Sequence, residues 1–505
     1  MSRRLLVWAL LLASGCVRGY LERAPATASR AWALPPELLH RRLAVRAAAT
    51  LDAGHEYALP ELIDLAELAN PDTRIGWEKA RQAALAVGLA KAEYFPTLSL
   101  KTIVGYQHLF FPVPHADSAM SSPTTVSTSD SLPNVSFPIP ALSKPSGFLG
   151  IDTYEVLPFA SVKWAALDLR RGAGVRAAEQ QSLSANALFT AAHQKIIHDV
   201  ACAYFRLQAA RAQLAVALDA LERTRAIDKA AQARFTQGVA TVVEKLQAER
   251  EVTQGEFEVT QARAAEVDAY ATLVSALGID PAAPMHVAAL PSRELPQALD
   301  EPVDGYIDAA LRARPDLRAA LAQLPATQAG VARSNAAYAP RVDLLGTAGD
   351  ALLGAHIDSV GGKSVNVPNV AVFASLDWLL FDGGAREVQA AIARSRHSEA
   401  EQRLLELEHT VVREVIASYN GLQAGLARYR SATALLTTAS AAEDAVSKQY
   451  GNGLATLTEA MNAEKARAQA SASKERAYAD ALVAATSLAL AAGDLTSAGA
   501  IPLWR

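Results

Sequence analysis

The residues most able to do chemistry, histidines and cysteines, are scattered along the 505-residue chain. His193 and His198 stand five positions apart, whereas two histidines that ligate one metal from a helix stand four apart. Cys16 and Cys202 are the two cysteines, and no G-x-S-x-G, Cys-x-x-Cys or phosphate-loop motif accompanies them. We therefore predict no catalytic residue, no metal site and no cofactor.

Two glutamates recur inside a phrase that the chain contains twice. Residues 234–250 read RFTQGVATVVEKLQAER, and residues 449–465 read QYGNGLATLTEAMNAEK. Glu244 and Glu459 each follow a threonine by three positions, which is the spacing of a capping box at a helix start. A role in cation passage is the alternative interpretation of these two carboxylates, and both interpretations stay open.

A glycine precedes each of the two threonines by three positions. Gly238 stands before Thr241, and Gly453 stands before Thr456. Glycine tolerates the positive φ with which many helices end, and the threonine then starts the next helix. Each phrase therefore predicts a tight turn between two long antiparallel helices. The turns are expected at about 236–241 and 451–456.

The phrase belongs to a longer tandem repeat. Pro71 and Pro315 differ by 244 positions, and each is followed by a second proline 25 positions later. FASVKWAALD at 159–168 answers FASLDWLLFD at 373–382. We predict a first repeat and a second repeat. Their expected ranges are 57–295 and 296–496.

Each repeat holds more than 120 residues without proline, the strongest helix breaker. Apolar residues in these tracts have helical spacing. An ordinary helix bundle shares this pattern, but a helix of about 65 residues would be on the order of 100 Å long. The tracts therefore favour an elongated helical structure.

Alternating apolar and polar residues predict four strands of about ten residues, two in each repeat. Trp164 and Trp378 are candidates for an interfacial aromatic girdle. Four strands cannot close a barrel with a lumen, so several chains must contribute strands. Twelve strands from three chains is the preferred arrangement, although eight or sixteen are also possible. The strands are expected at about 97–108, 157–167, 341–350 and 369–379.

The N-terminus has the layout of a secretory signal over residues 1–15, which ends before Cys16. Ending on Gly-Cys, the segment resembles a bacterial lipoprotein signal, which implies that the cysteine carries a lipid; ordinary cleavage nearby is the alternative. Residues 16–56 would form an N-terminal extension and 497–505 a C-terminal tail. A net charge of −4 with interspersed signs gives no footprint for nucleic acid.

These features together resemble the TolC family of outer membrane efflux proteins, particularly its lipid-anchored members. The resemblance rests on the tandem plan, the LPELIDLAELANPDTRIGWEKAR opening, the two tryptophan-to-aspartate steps and the Gly-x-Ala-Thr hairpins. It implies an α+β membrane protein: a homotrimer with a 12-stranded β-barrel in the outer membrane of a Gram-negative bacterium and a periplasmic α-helical barrel. It also implies a periplasmic adaptor protein and an inner-membrane pump as partners.

The same resemblance implies that the hairpin turns contact the adaptor and form a closable aperture. Ala455 and Asn462 differ from the charged residues of some relatives, which argues against a salt-bridged lock. A type I secretion channel and a periplasmic coiled-coil adaptor or tether are the alternatives. The tip residues implied are Phe235, Gly238, Ala240, Thr241, Glu244, Tyr450, Gly453, Ala455, Thr456 and Glu459.

Overall fold

The computed structural model describes residues 54–113, 147–280, 285–291, 293–299, 301–357 and 361–502. The expected signal and Cys16 lie outside these residues. The chain divides into two compact units, each assembled from separate stretches. The first unit comprises Met1–Lys79, Ala187–Arg318 and Glu406–Arg505. The second unit comprises Ala80–Asn186 and Ala319–Leu405.

The described residues form eight α-helices, six strands and one short 3₁₀ helix. In chain order the helices and strands are β1 (Glu56–Tyr57), α1 (Leu59–Ala69), α2 (Pro71–Ala92), β2 (Thr97–Val113), β3 (Gly147–Leu167), α3 (Arg170–Thr236), α4 (Val242–Leu277), β4 (His286–Val287), α5 (Val303–Ala313), α6 (Pro315–Ala336), β5 (Arg341–Ile357), β6 (Gly361–Asp377), α7 (Ala385–Gly451) and α8 (Leu457–Ala491), and the 3₁₀ helix is Ala498–Ala500. The order of α2 to α4 repeats as α6 to α8, which is the tandem plan of the sequence.

Four long strands form one antiparallel sheet in the order β2-β3-β5-β6. Leu98 stands opposite Val162, and Leu344 stands opposite both Trp164 and Ala374. The two hairpins, one from each repeat, are joined by pairing of β3 with β5. The outer strands β2 and β6 each pair on one side, so the sheet has two open edges.

The strands are longer than the ten residues expected: β3 has 21 residues and the other three have 17 each. Alternation marks only where one face is apolar, whereas hydrogen-bonded pairing continues wherever a partner strand runs alongside. β2 therefore stays paired as far as Val113, which stands opposite Gly147. The strand ends expected near 108 and 157 were wrong for this reason, and so was the end near 350, since β5 pairs to Ile357.

The last expected strand was displaced. The alternation predicted 369–379, and β6 begins earlier and ends at Asp377. Trp378 therefore lies just beyond the strand, whereas Trp164 lies within β3. Pro158 within β3 has no N–H to donate, and the ladder with β5 lapses there before resuming where Phe159 stands opposite Gly349.

Each repeat contains a helix of 67 residues, α3 in the first and α7 in the second. No helix among the described residues is both long enough and apolar enough to cross a membrane. The core of the first unit combines residues of α1, α3, α4, α7 and α8. Tyr204 and Phe205 are its largest fully buried side chains, and they meet edge to face with ring centroids 5.6 Å apart.

Candidate functional site: the hairpin turns

The two turns have the same backbone structure. Gly238 has φ +78° and Gly453 has φ +76°, the left-handed region that favours glycine. The N–H of Val239 donates to the carbonyl of Arg234 at 3.0 Å, and the second turn has the same bond. These bonds end each helix in a Schellman motif. The glycine and threonine pattern of the sequence is sufficient to specify both turns.

The helix starts after the turns differ in completeness. Thr241 Oγ1 accepts from the N–H of Glu244 at 3.2 Å, and Thr456 Oγ1 accepts from the N–H of Glu459 at 3.3 Å. Only in the second turn does the reciprocal bond form among the described residues, from the Thr456 N–H to Glu459 Oε2 at 2.8 Å. Glu459 is therefore engaged as a helix cap, and the same bond holds the pKa of its carboxyl below the usual range.

A hydrogen bond and a cation–π contact between Arg234 and Tyr450, together called the tie, join the two hairpins next to the turns. Arg234 Nη1 donates to the carbonyl of Tyr450 at 3.2 Å, and the guanidinium lies 5.1 Å from the centre of the Tyr450 ring. Tyr450 is 5% exposed, and its hydroxyl has no hydrogen-bond partner within the described structure. Burial raises the pKa of this hydroxyl.

The remaining tip residues lie around this tie. Phe235 is half-buried, with the Lys245 ammonium 5.8 Å from its ring centre, and Ala240 is half-buried too. Ala455 packs against a small apolar cluster, and the charge of Glu244 helps to raise the pKa of Tyr450. The buried members of that cluster are Ala231, Ala248, Tyr450, Leu457 and Ala460. The structure thus brings residues of both turns together, a contact that the sequence alone did not predict.

An ionic cluster that the sequence analysis missed joins the hairpins further along. Its members are Asp219 and Arg223 of α3, Glu443 of α7, and Glu464 and Arg467 of α8. Arg467 binds both carboxylate oxygens of Glu464 at 3.2 Å and also bonds to Asp219. Arg223 lies 3.5 Å from Glu443 and 3.2 Å from Asp219. Two guanidinium groups thus neutralise two of three carboxylates.

The excess negative charge of this cluster lies where water is scarce. The side chains of Glu464 and Glu443 are 3% and 8% exposed. Burial raises the pKa of Glu464, and the neighbouring Glu443 adds to the effect against the opposing pull of Arg467. In the sequence these residues form ordinary i, i+3 and i, i+4 pairs, which usually lie on solvated faces, so no sequence signal distinguished them.

The corresponding position of the first repeat has acids without the arginine. Asp228 and Glu249 stand 215 positions before Glu443 and Glu464, and Val252 stands where the second repeat has Arg467. One oxygen of Asp228 is buried without a partner in the described residues, and the other accepts from Gln232 at 2.8 Å. Burial, followed by the charge of Glu249, raises the pKa of Asp228.

The two tryptophans have equivalent positions at the ends of the sheet. Trp164 Nε1 donates to the carbonyl of Tyr94 at 2.9 Å, and Trp378 Nε1 donates to that of Tyr338 at 3.1 Å. Each tyrosine ring also lies under an arginine, at 4.6 Å in the first repeat and 4.9 Å in the second. The indoles therefore join each sheet end to the preceding helix, and the interfacial girdle stays a prediction.

The aspartates after the strands act as local backbone caps. Asp168 Oδ1 accepts from the N–H of Arg170 at 2.9 Å, and Asp382 accepts from Gly384 and Arg386 at 3.2 and 3.1 Å. No group of three metal-ligating side chains is found within the described ranges. The aspartate caps, the tryptophan hydrogen bonds and the ionic cluster thus hold helices in place or join them to neighbouring elements.

Comparison with known proteins gives one matching family. The outer membrane efflux protein family matches residues 153–279 and 306–494, well over half of the chain and both repeats. Protein CyaE of Bordetella pertussis (strain Tohama I) is 29% identical over 360 residues, which cover 68% of this chain. The match spans 65% of CyaE, less than two thirds of that relative.

Two solved structures have a similar fold. VceC of Vibrio cholerae superposes with a TM-score of 0.63 at 20% identity, covering 86% of this chain and 96% of VceC. CmeC of Campylobacter jejuni superposes with a TM-score of 0.67 at 15% identity, covering 87% of this chain and 86% of CmeC. The family model matches both repeats, which sets aside the coiled-coil adaptor alternative, and the character of this family confirms the expectation of a non-enzymatic protein. The chain belongs to the outer membrane efflux protein family.

Proposed function

We propose that this protein is the outer membrane channel of a tripartite efflux system, a passive conduit for substrates delivered by an inner-membrane pump. The observation that carries the proposal is an exposed apolar face on the four-stranded sheet. Leu98 and Leu100 on β2, with Val370 and Val372 on β6, are each at least 76% exposed. Such a surface is an aggregation hazard in water but suits lipid.

Aromatic side chains bound this face at both ends. The rings of Tyr106 and Tyr154 contact each other with centroids 5.0 Å apart. Tyr154 stands ten positions before Trp164 along β3. Ten residues of strand extend roughly 33 Å, which a tilt of about 40° reduces to roughly 25 Å. That height equals the apolar band of outer-membrane barrels, and it supports a girdle of tyrosines at one interface and of Trp164 and Trp378 at the other.

The open edges support a homotrimer. β2 and β6 each lack a partner on one side, and unpaired strand edges cannot face lipid. Pairing β2 of one copy with β6 of the next is a head-to-tail contact, which closes into a ring. Three copies would give the twelve-stranded barrel expected from the sequence.

A discontinuous stripe of exposed apolar side chains on α4 supports the same arrangement in the helical part. Val243, Leu246, Phe257 and Val267 are 58–64% exposed on this helix. Such an apolar stripe needs a partner, and a neighbouring copy of the chain supplies one. The helices of three copies would then enclose the periplasmic tunnel.

The hairpin turns are the proposed meeting point with a periplasmic adaptor protein and the closable end of the tunnel. The tie between Arg234 and Tyr450 holds the two turns of one chain together. This tie uses a carbonyl and an aromatic ring in place of an ion pair. It agrees with the absence of a basic residue at Ala455.

Cys16 is the proposed lipid anchor, on the strength of the signal layout before it. Mass spectrometry of the mature N-terminus tests this directly, because a diacylglyceryl-modified Cys16 differs in mass from an unmodified thiol. Cleavage at another residue would refute the anchor but leave the channel proposal standing.

Fractionation and electrophoresis test the channel proposal. We expect the protein in the outer-membrane fraction, as a trimer that dissociates into a faster band only after heating. Recovery of the protein solely from the soluble periplasmic fraction would overturn the proposal. Cross-linking through a cysteine placed at Asn452, which is exposed in the second turn, should capture the adaptor, and the same substitution at the exposed Arg403 of α7 provides the control.

A further inference from the structure

A cavity of about 560 Å³ opens between α3, α6 and α7 within the second unit. Its lining combines small apolar residues, mostly alanine, with polar side chains that can donate hydrogen bonds. The lining residues that carry the argument are Gln181, Gln323, Arg333, Ser334, Gln389 and Arg396. A cavity of this volume is within the range of small-molecule sites.

The cavity carries an uncompensated positive charge. Arg333 and Arg396 make no ion pair, hydrogen bond or ring contact with the residues that the structure describes. No carboxylate lines the cavity. Both arginines are exposed, so an anion can reach them from solvent and meets two cationic side chains in the lining.

Three acidic residues on the same helices are already paired. Glu179 of α3 lies 3.0 Å from Lys91, and Glu399 of α7 pairs with Arg403. Asp316, the one acid of α6, binds Arg314 at 2.7 Å. These three acids are therefore engaged elsewhere, and none of them lines the cavity.

The arginines are peculiar to the second repeat. At the offset of 244, Leu89 corresponds to Arg333, and at offsets of 214 and 215 Ser182 and Gln181 correspond to Arg396. Residues with a shared structural role, such as Trp164 and Trp378, recur at equivalent positions in both repeats. The absence of a counterpart for either arginine indicates that the fold does not require this pair.

We propose that this cavity binds an anion that carries a carboxylate or phosphate group. A guanidinium fork matches both groups through two parallel hydrogen bonds, and the glutamine amides supply further donors. Thr327 is not available as a donor, because its hydroxyl donates to the Leu324 carbonyl at 2.8 Å and meets His397 Nδ1 at 2.9 Å. The proposal stands independently of the channel function.

Calorimetric titration of the purified full chain with inorganic phosphate tests the site. The double variant Arg333→Gln, Arg396→Gln should raise the dissociation constant at least about tenfold, because charge-assisted bonds are lost. Arg394→Gln is the matched control, since Arg394 lies on the same helix, is exposed and does not line the cavity. This control should bind phosphate as the native chain does.

Native mass spectrometry of the same three proteins identifies a lipid source. An anionic phospholipid that co-purifies with the native chain and the control, but not with the double variant, would show that the phosphate belongs to a lipid headgroup. Phosphate binding that is equal in all three proteins would overturn the proposal. Absence of both phosphate binding and co-purified lipid would overturn it as well.

Discussion

The two helical hairpins follow one plan, yet their return helices have different environments. In α8, 13 residues are buried, against five in the similarly long α4. α4 instead exposes large apolar side chains such as Phe257 and Val267, whereas none of α8 is among the exposed large hydrophobic residues described. The return helix of the second hairpin is therefore packed within its own chain, and that of the first leaves an apolar surface for a neighbour. Duplication preserved the turns and helix lengths and left the packing free to diverge.

The pairing of charged residues near the turns also differs between the two repeats. The second repeat places Arg467 between buried acids, whereas the first repeat has Val252 there and leaves Asp228 incompletely paired. A buried carboxylate needs a partner to offset its desolvation. We therefore expect the second hairpin to depend strongly on its charged residues and the first to depend on them weakly.

The largest effect is expected from Arg467→Met. This change leaves the buried Glu464 without its guanidinium partner, and it should lower the free energy of unfolding by about 3–5 kcal/mol. Val252→Met at the equivalent position of the first repeat should be close to neutral. Thermal unfolding at fixed protein concentration measures both, and the added change Glu464→Leu should recover part of the loss. Equal stability of the two single variants would remove the proposed difference between the hairpins.

The turn glycines should show an intermediate effect. Gly453→Val and Gly238→Val force a β-branched residue into positive φ, at about 1–2 kcal/mol each. A Cβ at either glycine meets no atom within 4 Å, so strain alone acts and the two costs should match. Asparagine, which tolerates this conformation, should cost less at both positions.

The functional consequence of Gly453→Val separates the tip from the rest of the chain. We expect adaptor cross-linking and export to fall while trimer formation persists. Native-like export by this variant would count against the assignment of the second turn as an adaptor contact.

A smaller effect is expected at the helix starts. Thr456→Ala should cost about 1 kcal/mol. Thr241→Ala should cost less, because the Thr456 hydroxyl bonds both the N–H and Oε2 of Glu459, whereas the Thr241 hydroxyl bonds only the N–H of Glu244 in the described structure. Hydrogen exchange at the amides of Glu459 and Glu244 measures the local opening. A larger acceleration of exchange at Glu244 after Thr241→Ala than at Glu459 after Thr456→Ala would contradict this order.

The cap of Glu459 also gives a pH dependence. Its pKa is lowered in the folded protein, so its contribution to stability is present above the ordinary carboxylate pKa and is lost as the pH falls through the lowered value. The protection factor of the Thr456 amide, which is the exchange rate corrected for its intrinsic pH dependence, should therefore fall on acidification to about pH 4 and below. Glu459→Gln should remove most of that fall.

The smallest expected effect is a gain in the first hairpin. Asp228→Asn removes a partly desolvated charge that repels Glu249, so the variant should be slightly more stable than the native chain at pH 7. The raised pKa of Asp228 means that ionisation costs stability as the pH rises, and the gain should disappear in acid, where the native residue is protonated. A gain that persists unchanged below pH 3 would point to a cause other than charge.

Local features of the two hairpins were predictable from the sequence. The left-handed glycines and the threonine N-caps depend on residues within about five positions of each other, so a short stretch of sequence contains the whole pattern. The strand lengths were less predictable, because β2 extends to Val113 by pairing with a strand that begins at Gly147. Pairing is a property of two segments, and alternation reports on only one of them.

The sequence by itself determined the tandem plan, the long helices, the apolar strand faces and the turns, because each follows from short-range spacing or from composition. Tertiary structure alone decided which charges became buried. Arg467 meets Asp219 across 248 positions, and Arg234 meets Tyr450 across 216. Such contacts depend on how helices pack, and equivalent residues in the two repeats meet different neighbours. For that physical reason one repeated phrase is followed by a buried, charge-linked helix in one place and by a helix with exposed apolar side chains in the other.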